Sequence, residues 1–501
     1  MIDRPRLAGG TSEAGGRNLR GWVAAAITTW VDPPPSDAWL ARYSPKKAII
    51  NADENRPWLG FKDDYDSRFS DIAFFLLPDS RAKFLGDRVR ILEDFCKGAE
   101  LDLDTSATPS PQEEQTAALQ HRTEAWVSDR NRNFQDPNAP FDYPRELSPR
   151  QLYEVLQHKL LPDDPAEQAD APPRRIYINN ANGPCILSLI RTASQSQAQG
   201  HRELFANYIN PAPEPCMSIK DCHLWNGSFI ILAQFPYFAI SNTDREDTRI
   251  YRGKRKFRRR HDFSFSNPTN SIKQDSDKEP GYQFLYEVVC SFMATGKSDS
   301  HWSAVCLNED SFEETPRLES EEDMDIDGLD SDSDDVDPIT DEPPLAMPTV
   351  SPRVYSLQFF DRHFELVVAH QKKIHEEFRA SLSRHSPASP EDPRDCLSPD
   401  QAKDWTTKSL NSLSLVLHSI AQQRGELDRF FTREVILDQN DMPTGRLLQS
   451  LRGDPLALKS LQNLRKSLEE LRVIERGIEG SKRDFEEIRL QTHSVSIRIA
   501  F

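Results

Sequence analysis

A strand pattern followed directly by a helical pattern stands in RRIYINNANGPCILSLIRTASQSQAQGHRELFANYI, residues 174–209. Ile176 and Ile178 alternate with other residues, which is the period of a β-strand with one apolar face. From Ile186 onward the apolar residues recur at helical spacing, with Asn and Gly residues separating the two patterns. A strand followed directly by helices predicts an α/β unit.

Three further segments of the same region read as strands. Residues 228–241, 282–296 and 301–308 are rich in aromatic and β-branched side chains and end in polar turns. The last two are separated by TGKSDS, which predicts a hairpin. One α/β domain over residues 174–308 accounts for all of these elements.

The period changes to heptads beyond residue 350. A narrow apolar stripe of this kind needs a partner surface, so the pattern predicts three helices of about 30 residues each over residues 351–501. Two polar residues, Gln371 and Arg424, interrupt the stripes and could fix their register. The stripes are Leu357, Phe360, Phe364, Val367, Ile374 and Phe378; Leu410, Leu413, Leu417, Ile420, Leu427 and Phe431; and Leu461, Leu464, Leu468, Leu471, Ile474, Ile478, Phe485 and Ile488.

The predicted fold class is therefore α+β, with a small α/β domain followed by a long antiparallel helical bundle or stalk and disordered linkers. Ser148 before Pro149 marks a clean helix start. The remaining boundaries follow from composition: 1–20 disordered, 21–100 a small mixed or helical unit, 101–173 a linker with a helix at 148–161, and 309–350 an acidic disordered linker.

The net charge of −18 is concentrated in that acidic segment, which holds 17 acidic residues and one basic residue between 309 and 342. Within it, Asp323, Asp325, Asp327 and Asp334 stand at ligand positions of a calcium-binding EF-hand loop. Prolines break both flanks, where an EF-hand needs helices. We therefore expect a solvated linker and no specific metal site.

A basic run, residues 252–260, is the second conspicuous charge feature. Its basic residues are Arg252, Lys254, Arg255, Lys256, Arg258, Arg259 and Arg260. A nuclear signal or nucleic-acid surface is one interpretation, in which Phe257 would stack on a base. The other is a solvated loop that could lie against the chain's own acidic segment. Either way the run is expected to be exposed, so that Arg258 and Arg259 could be neutralised without loss of stability.

Signals for catalysis are poor, and no catalytic residue or cofactor is predicted. The chain has no HExxH, GxSxG or P-loop motif. His363, His370 and His375 share a predicted helix at spacings that do not give a metal pair, so we interpret them as exposed. Seven scattered cysteines without a CxxC pair suggest reduced intracellular thiols, and only Cys216 and Cys222, with His223 beside the latter, cluster.

In their order, several of these segments resemble the CorA-like proteins of filamentous fungi: the α/β stretch, FIILAQFPYFAIS, RGKRKFRRRHDFSF, FLYEVVCSFMATG, HWSAVCLN, and SPRVYSLQFFDRHFELVVAHQKKIHEEF. That group is similar to the CorA magnesium transporters. The resemblance implies a cytosolic α/β domain on a stalk of long helices that leads to two transmembrane segments joined by a Gly-Met-Asn loop. This sequence contains no Gly-Met-Asn and no run of 18 apolar residues, so no family residue is carried over and no ion path is expected.

The sequence thus predicts a non-catalytic intracellular protein that acts through protein association, with itself or with a full-length CorA-like protein. A nuclear interaction protein, with nucleic acid as a possible partner of the basic run, is one alternative. A truncated divalent-cation (magnesium) transporter is the other. The expected location is the cytoplasm, with the nucleus under the first alternative and a membrane only if the protein continues beyond Phe501.

Overall fold

The computed structural model describes residues 38–44, 55–62, 69–77, 85–104, 123–128, 146–158, 173–222, 227–251, 255–266, 282–310, 312, 336–341, 350–385 and 397–500. These residues form a mixed α/β structure with a region of long helices at its C-terminal side. The predicted combination of α/β elements and long helices is therefore confirmed.

A mixed sheet of seven strands is the centre of the fold. Its order is β1-β2-β9-β8-β4-β3, with β7 paired to the end of β8. Only β2 and β9 are parallel, while the other pairs are antiparallel. The strands are β1 Glu124–Ser128, β2 Arg174–Asn179, β3 Cys216–Cys222, β4 Ser228–Ser241, β7 Arg260–Asp262, β8 Phe284–Gly296 and β9 Trp302–Asn308, and a separate two-stranded pair consists of β5 Ile250–Tyr251 and β6 Arg255–Lys256.

Both faces of this sheet are covered by hydrophobic cores. Successive side chains of a strand point to opposite faces and so enter different cores. In β4, Phe229 and Ile231 belong to one hydrophobic core and Ile230 and Leu232 to the other. The predicted hairpin is confirmed, since β8 and β9 pair antiparallel from Ser291↔Leu307 to Gly296↔Trp302. A sheet buried on two faces explains why β4 reads as a nearly continuous apolar run.

Short helices cover one face of the sheet. Asn182 caps the helix after β2 by accepting a hydrogen bond from the Cys185 N–H at 3.2 Å. Ser148 forms a capping box with Gln151, and the helix begins at Pro149 as predicted. The helices on this side are α2 Asp71–Leu76, α3 Leu85–Phe95, α4 Ala99–Asp104, α5 Pro149–Leu156, α6 Gly183–Thr192 and α7 Gln195–Tyr208.

Three long helices and one short one cover the other face. The short helix α1, Ala38–Tyr43, inserts Trp39 and Tyr43, both fully buried, against Phe229 of β4. The long helices are α8 Pro352–His385, α9 Pro399–Phe430 and α10 Pro455–Ala500. Phe292 of β8 stacks on Phe359 of α8 with ring centroids 4.2 Å apart, so the sheet and the long helices share one core. Among the helices that the structure describes, none is long and apolar enough to cross a membrane.

Two predicted linkers contribute ordered structure. β1 lies within residues 101–173 and extends the sheet as an edge strand beside β2. In the segment 309–350, Glu309, Asp310 and Phe312 at one end and Asp337 near the other are buried. Their burial means that both ends of this segment belong to the folded body. The residues of its middle, including Asp323, Asp325, Asp327 and Asp334, lie outside the described residues.

Candidate functional site

The basic run is not exposed throughout, and the prediction of exposure is wrong for Phe257 and Arg258. Phe257 and Arg258 are 2% and 6% exposed. Phe257 lies against Phe95, with ring centroids 5.1 Å apart, and is therefore not available to stack on a base. Lys256 and Arg259 are exposed, whereas Arg260 is half-buried. For Arg255 only the backbone, in β6, is described, and Arg252 and Lys254 lie outside the described residues.

The guanidinium of Arg258 is held by Glu309, the first residue of the acidic segment. Arg258 Nε donates to the two carboxylate oxygens of Glu309 at 3.1 and 2.9 Å, and Nη2 donates to the Tyr208 carbonyl at 2.8 Å. Arg249 Nη2 also donates to Glu309, at 2.8 Å, and the Val289 N–H donates to it at 2.9 Å. One buried carboxylate therefore contacts two guanidinium groups beside the end of β9.

Asp247 completes this buried charge network. Burial alone would raise the pKa of Asp247, but Arg249, which bonds it at 2.9 Å, brings that pKa below its ordinary value. The outer residues of the run are also paired, since Lys256 and Arg260 both contact Glu246. Lys256, Arg258 and Arg260 thus form ion pairs within the chain.

A second buried ion pair anchors the far end of the acidic segment. Arg175 Nη1 donates to Asp337 Oδ2 at 2.8 Å, and the Tyr355 hydroxyl donates to the same oxygen at 2.9 Å. At the near end, Asn180 Nδ2 donates to Asp310 at 2.8 Å. Both contacts join acidic residues to β2 or to the turn after it, so the segment begins and ends beside the same strand.

The predicted helix seam is buried within a single chain. Leu357, Phe360, Phe364, Val367, Leu413, Ile420, Leu461, Leu464, Leu468 and Leu471 are buried, and Leu417 is partly buried against the same core. Gln371 is fully buried, and its side-chain amide has no hydrogen-bond partner in the structure. Arg424 instead reaches Glu475 of α10 at 2.8 Å. The stripes therefore bury one another and the sheet.

Two cysteines and one histidine meet between the sheet and α8. Cys290 Sγ lies 3.3 Å from His363 Nδ1 and 3.9 Å from Cys306 Sγ, and all three residues are buried. The prediction that His363 is exposed is wrong, because it is 2% exposed. No local sequence motif indicates this group, because Cys290 is 16 residues from Cys306 and 73 residues from His363.

The other sequence candidates do not assemble. Cys216 and Cys222 stand at opposite ends of β3, and His223 lies outside the described residues. His370 is partly buried and stacks on Tyr237, with ring centroids 5.2 Å apart, and burial lowers its pKa to about 4. Its predicted exposure is therefore wrong as well, while His375, also partly buried, packs against Gly477 of α10.

A buried histidine on the other face gives a test of pH dependence. His201 is 2% exposed, neither ring nitrogen has a hydrogen-bond partner among the described residues, and burial lowers its pKa to about 3. Because the folded pKa is below the unfolded value of about 6.5, the unfolded chain binds more protons as pH falls. We expect stability to be lost below pH about 6.5 by at most about 1.4 kcal/mol per pH unit for this residue.

Urea unfolding of the wild type, His201→Leu and the exposed-site control His418→Gln between pH 7 and 5 measures this slope. His201→Leu should flatten the pH dependence, and His418→Gln should leave it unchanged. Equal slopes for His201→Leu and wild type would contradict the assignment.

Comparison with known proteins identified no relative of this chain. No protein-family model matches the chain, and a search of curated proteins finds no significant match. The fold and the side-chain groups described above are therefore the basis for its function.

Proposed function

We propose that this chain is a non-enzymatic CorA-like protein whose long helices form a bundle, and that the end of α10 joins it to a second copy of itself. The single observation that carries the proposal is that Leu490, beyond the last residue of α10 described as buried, is 66% exposed. The order of elements in the chain, an α/β unit followed by long helices, also agrees with the resemblance of the sequence to CorA-like proteins.

Contacts along the helices support a bundle in which α9 runs opposite to its neighbours. Asp361 of α8 accepts a hydrogen bond from Asn463 of α10 at 2.9 Å. Closer to the C-terminal ends of the same helices, 17 residues further along α8 and 22 further along α10, Phe378 meets Phe485 at a centroid distance of 6.2 Å. These two contacts give α8 and α10 the same direction. Trp405, near the start of α9, also packs on Phe485, at 4.9 Å, which gives α9 the opposite direction.

An exposed leucine lies near the end of α10. α10 has 46 residues, and Ile488 is the last of its side chains described as buried. Leu490, two positions on, is 66% exposed. The helix continues to Ala500, about 18 Å beyond Ile488. Burial of Leu490 against a partner surface would be favourable.

The charges around this end favour a second copy as the partner. Lys482 and Arg483 are followed by the acidic residues Glu486 and Glu487 one turn later. Two such helices related by a two-fold axis would place the basic turn of each opposite the acidic turn of the other. Leu490 would lie at the edge of that contact and supply apolar area.

Sedimentation of the full chain over a range of concentrations tests the proposal. We expect the wild type to self-associate and Leu490→Glu to weaken the association at least about tenfold, because a charge would enter an apolar contact. The matched control is Val473→Glu, at a position of α10 that is 59% exposed but lies where α8 and α9 flank the helix. Association that is equal in both variants, or a wild type that stays monomeric at high micromolar concentration, would contradict the proposal.

A further inference from the structure

We propose that Cys290, Cys306 and His363 bind a Zn²⁺ ion between β8, β9 and α8. The proposal is independent of the association proposed above, because it concerns the core of one chain. The three ligand atoms lie within 4.8 Å of one another.

The fold places the three side chains on one face without a local motif. Cys306 pairs with Phe292 across β8 and β9, so Cys290, two residues before Phe292, points to the same face. That face is covered by α8, which supplies His363. Ring stacking orients the imidazole, because Phe359, one turn earlier in α8, lies against it at a centroid distance of 4.2 Å. His363 Nδ1 then faces Cys290 Sγ.

The distances fit a tetrahedral zinc site. With Zn–S bonds of about 2.3 Å and a Zn–N bond of about 2.0 Å, two thiolates stand about 3.8 Å apart, and a thiolate and an imidazole nitrogen about 3.5 Å. The corresponding distances in this structure are 3.9 Å and 3.3 Å. The third pair, Cys306 and His363, has its ligand atoms within 4.8 Å, so binding would require these two to approach by at most about 1.3 Å.

The charges also fit a divalent ion. Binding would convert the two thiols to thiolates, form two Zn–S bonds and one Zn–N bond, and release two protons to solvent. Two thiolates and one Zn²⁺ sum to zero, which suits a position where a net charge would be costly. No fourth His, Cys, Asp or Glu of the described residues joins the group, so the fourth position is left to another donor such as water.

Two states of this group are compatible with the 3.3 Å distance between His363 Nδ1 and Cys290 Sγ. In the proposed state, Nδ1 binds the ion and the ring proton is on Nε2. The competing interpretation is a hydrogen bond from the Cys290 thiol to Nδ1 alone, with no metal.

Metal analysis of the full chain decides between the two. The protein is produced with zinc in the medium, exchanged into buffer with reductant and a weak chelator, and analysed for zinc per chain. We expect about one zinc per chain, falling at least about tenfold in Cys306→Ala. Cys185→Ala is the matched control, because Cys185 is also fully buried but lies in the core on the other side of the sheet. It should retain the metal.

A second measurement on the wild type does not depend on whether a variant folds. The chain is unfolded and refolded in reductant with Co²⁺ in place of zinc. A thiolate–cobalt charge-transfer band in the near ultraviolet, absent from an excess of Co²⁺ alone, is the expected result. Less than a tenth of an equivalent of zinc in the wild type together with no such band would overturn the proposal and leave the hydrogen bond.

Discussion

Glu309→Gln is expected to lower the free energy of unfolding by about 3–5 kcal/mol, because it removes the charge that neutralises two buried guanidinium groups. Arg258 is 6% exposed and pairs with Glu309 at 2.9 Å, and Arg249 pairs with the same carboxylate at 2.8 Å. A glutamine keeps the volume but leaves two positive charges in the interior facing one carboxylate, Asp247. Urea unfolding monitored by tryptophan fluorescence measures the change.

Glu246→Gln is the control for this prediction. Glu246 contacts Lys256 and Arg260 on the surface, where its side chain is 52% exposed. An exposed ion pair contributes about 0–1 kcal/mol, so this variant should unfold close to the wild type. If the two variants lost the same small amount, the buried network would not be the structural element described here.

The second large effect is expected for Leu464→Asp in α10. Leu464 is fully buried in the core shared by the long helices and the sheet. Truncating a buried leucine costs about 2–5 kcal/mol, and an unpaired carboxylate adds its desolvation. We therefore expect a loss of more than about 5 kcal/mol, which is enough to unfold most domains.

Circular dichroism during thermal unfolding measures this effect, and Val473→Asp on the exposed side of the same helix is the control. The control should change stability by about 0.5 kcal/mol or less. A fully folded Leu464→Asp variant with a wild-type melting temperature would mean that the seam is not packed as described.

Much of the secondary structure could be predicted because its signals are local. The aromatic and β-branched run of β4, the turn between β8 and β9, and the Ser148 cap each identify an element from adjacent residues. The heptad stripes likewise predicted α8, α9 and α10. In these cases the spacing of apolar residues along the sequence matches the spacing of the buried positions in the element.

The remaining features depend on distant partners. The strand β1 has only five residues, and its place in the sheet follows from pairing with β2, about 50 positions later. The local sequence predicts that Arg258 is a surface charge, but the fold places Glu309, 51 residues away, beside it. Cys290 and His363 are 73 residues apart and meet only because β8 lies under α8. A local pattern cannot indicate a contact that the tertiary fold creates.

The same limit applies to the acidic segment. Its composition predicts a solvated linker, yet Asp337 bonds Arg175 of β2 and Tyr355 of α8 in the interior. Asp337 and Glu309 are each paired with an arginine that composition alone does not reveal. The basic run and the acidic segment are joined to each other through Arg258 and Glu309.

Hydrogen–deuterium exchange of the full chain at two protein concentrations tests most directly whether the end of α10 is the association element. The account predicts that amides of residues 489–500 become more protected as concentration rises, while those around Leu464 stay equally protected throughout. Protection of residues 489–500 that is the same at low and high micromolar concentration would contradict it.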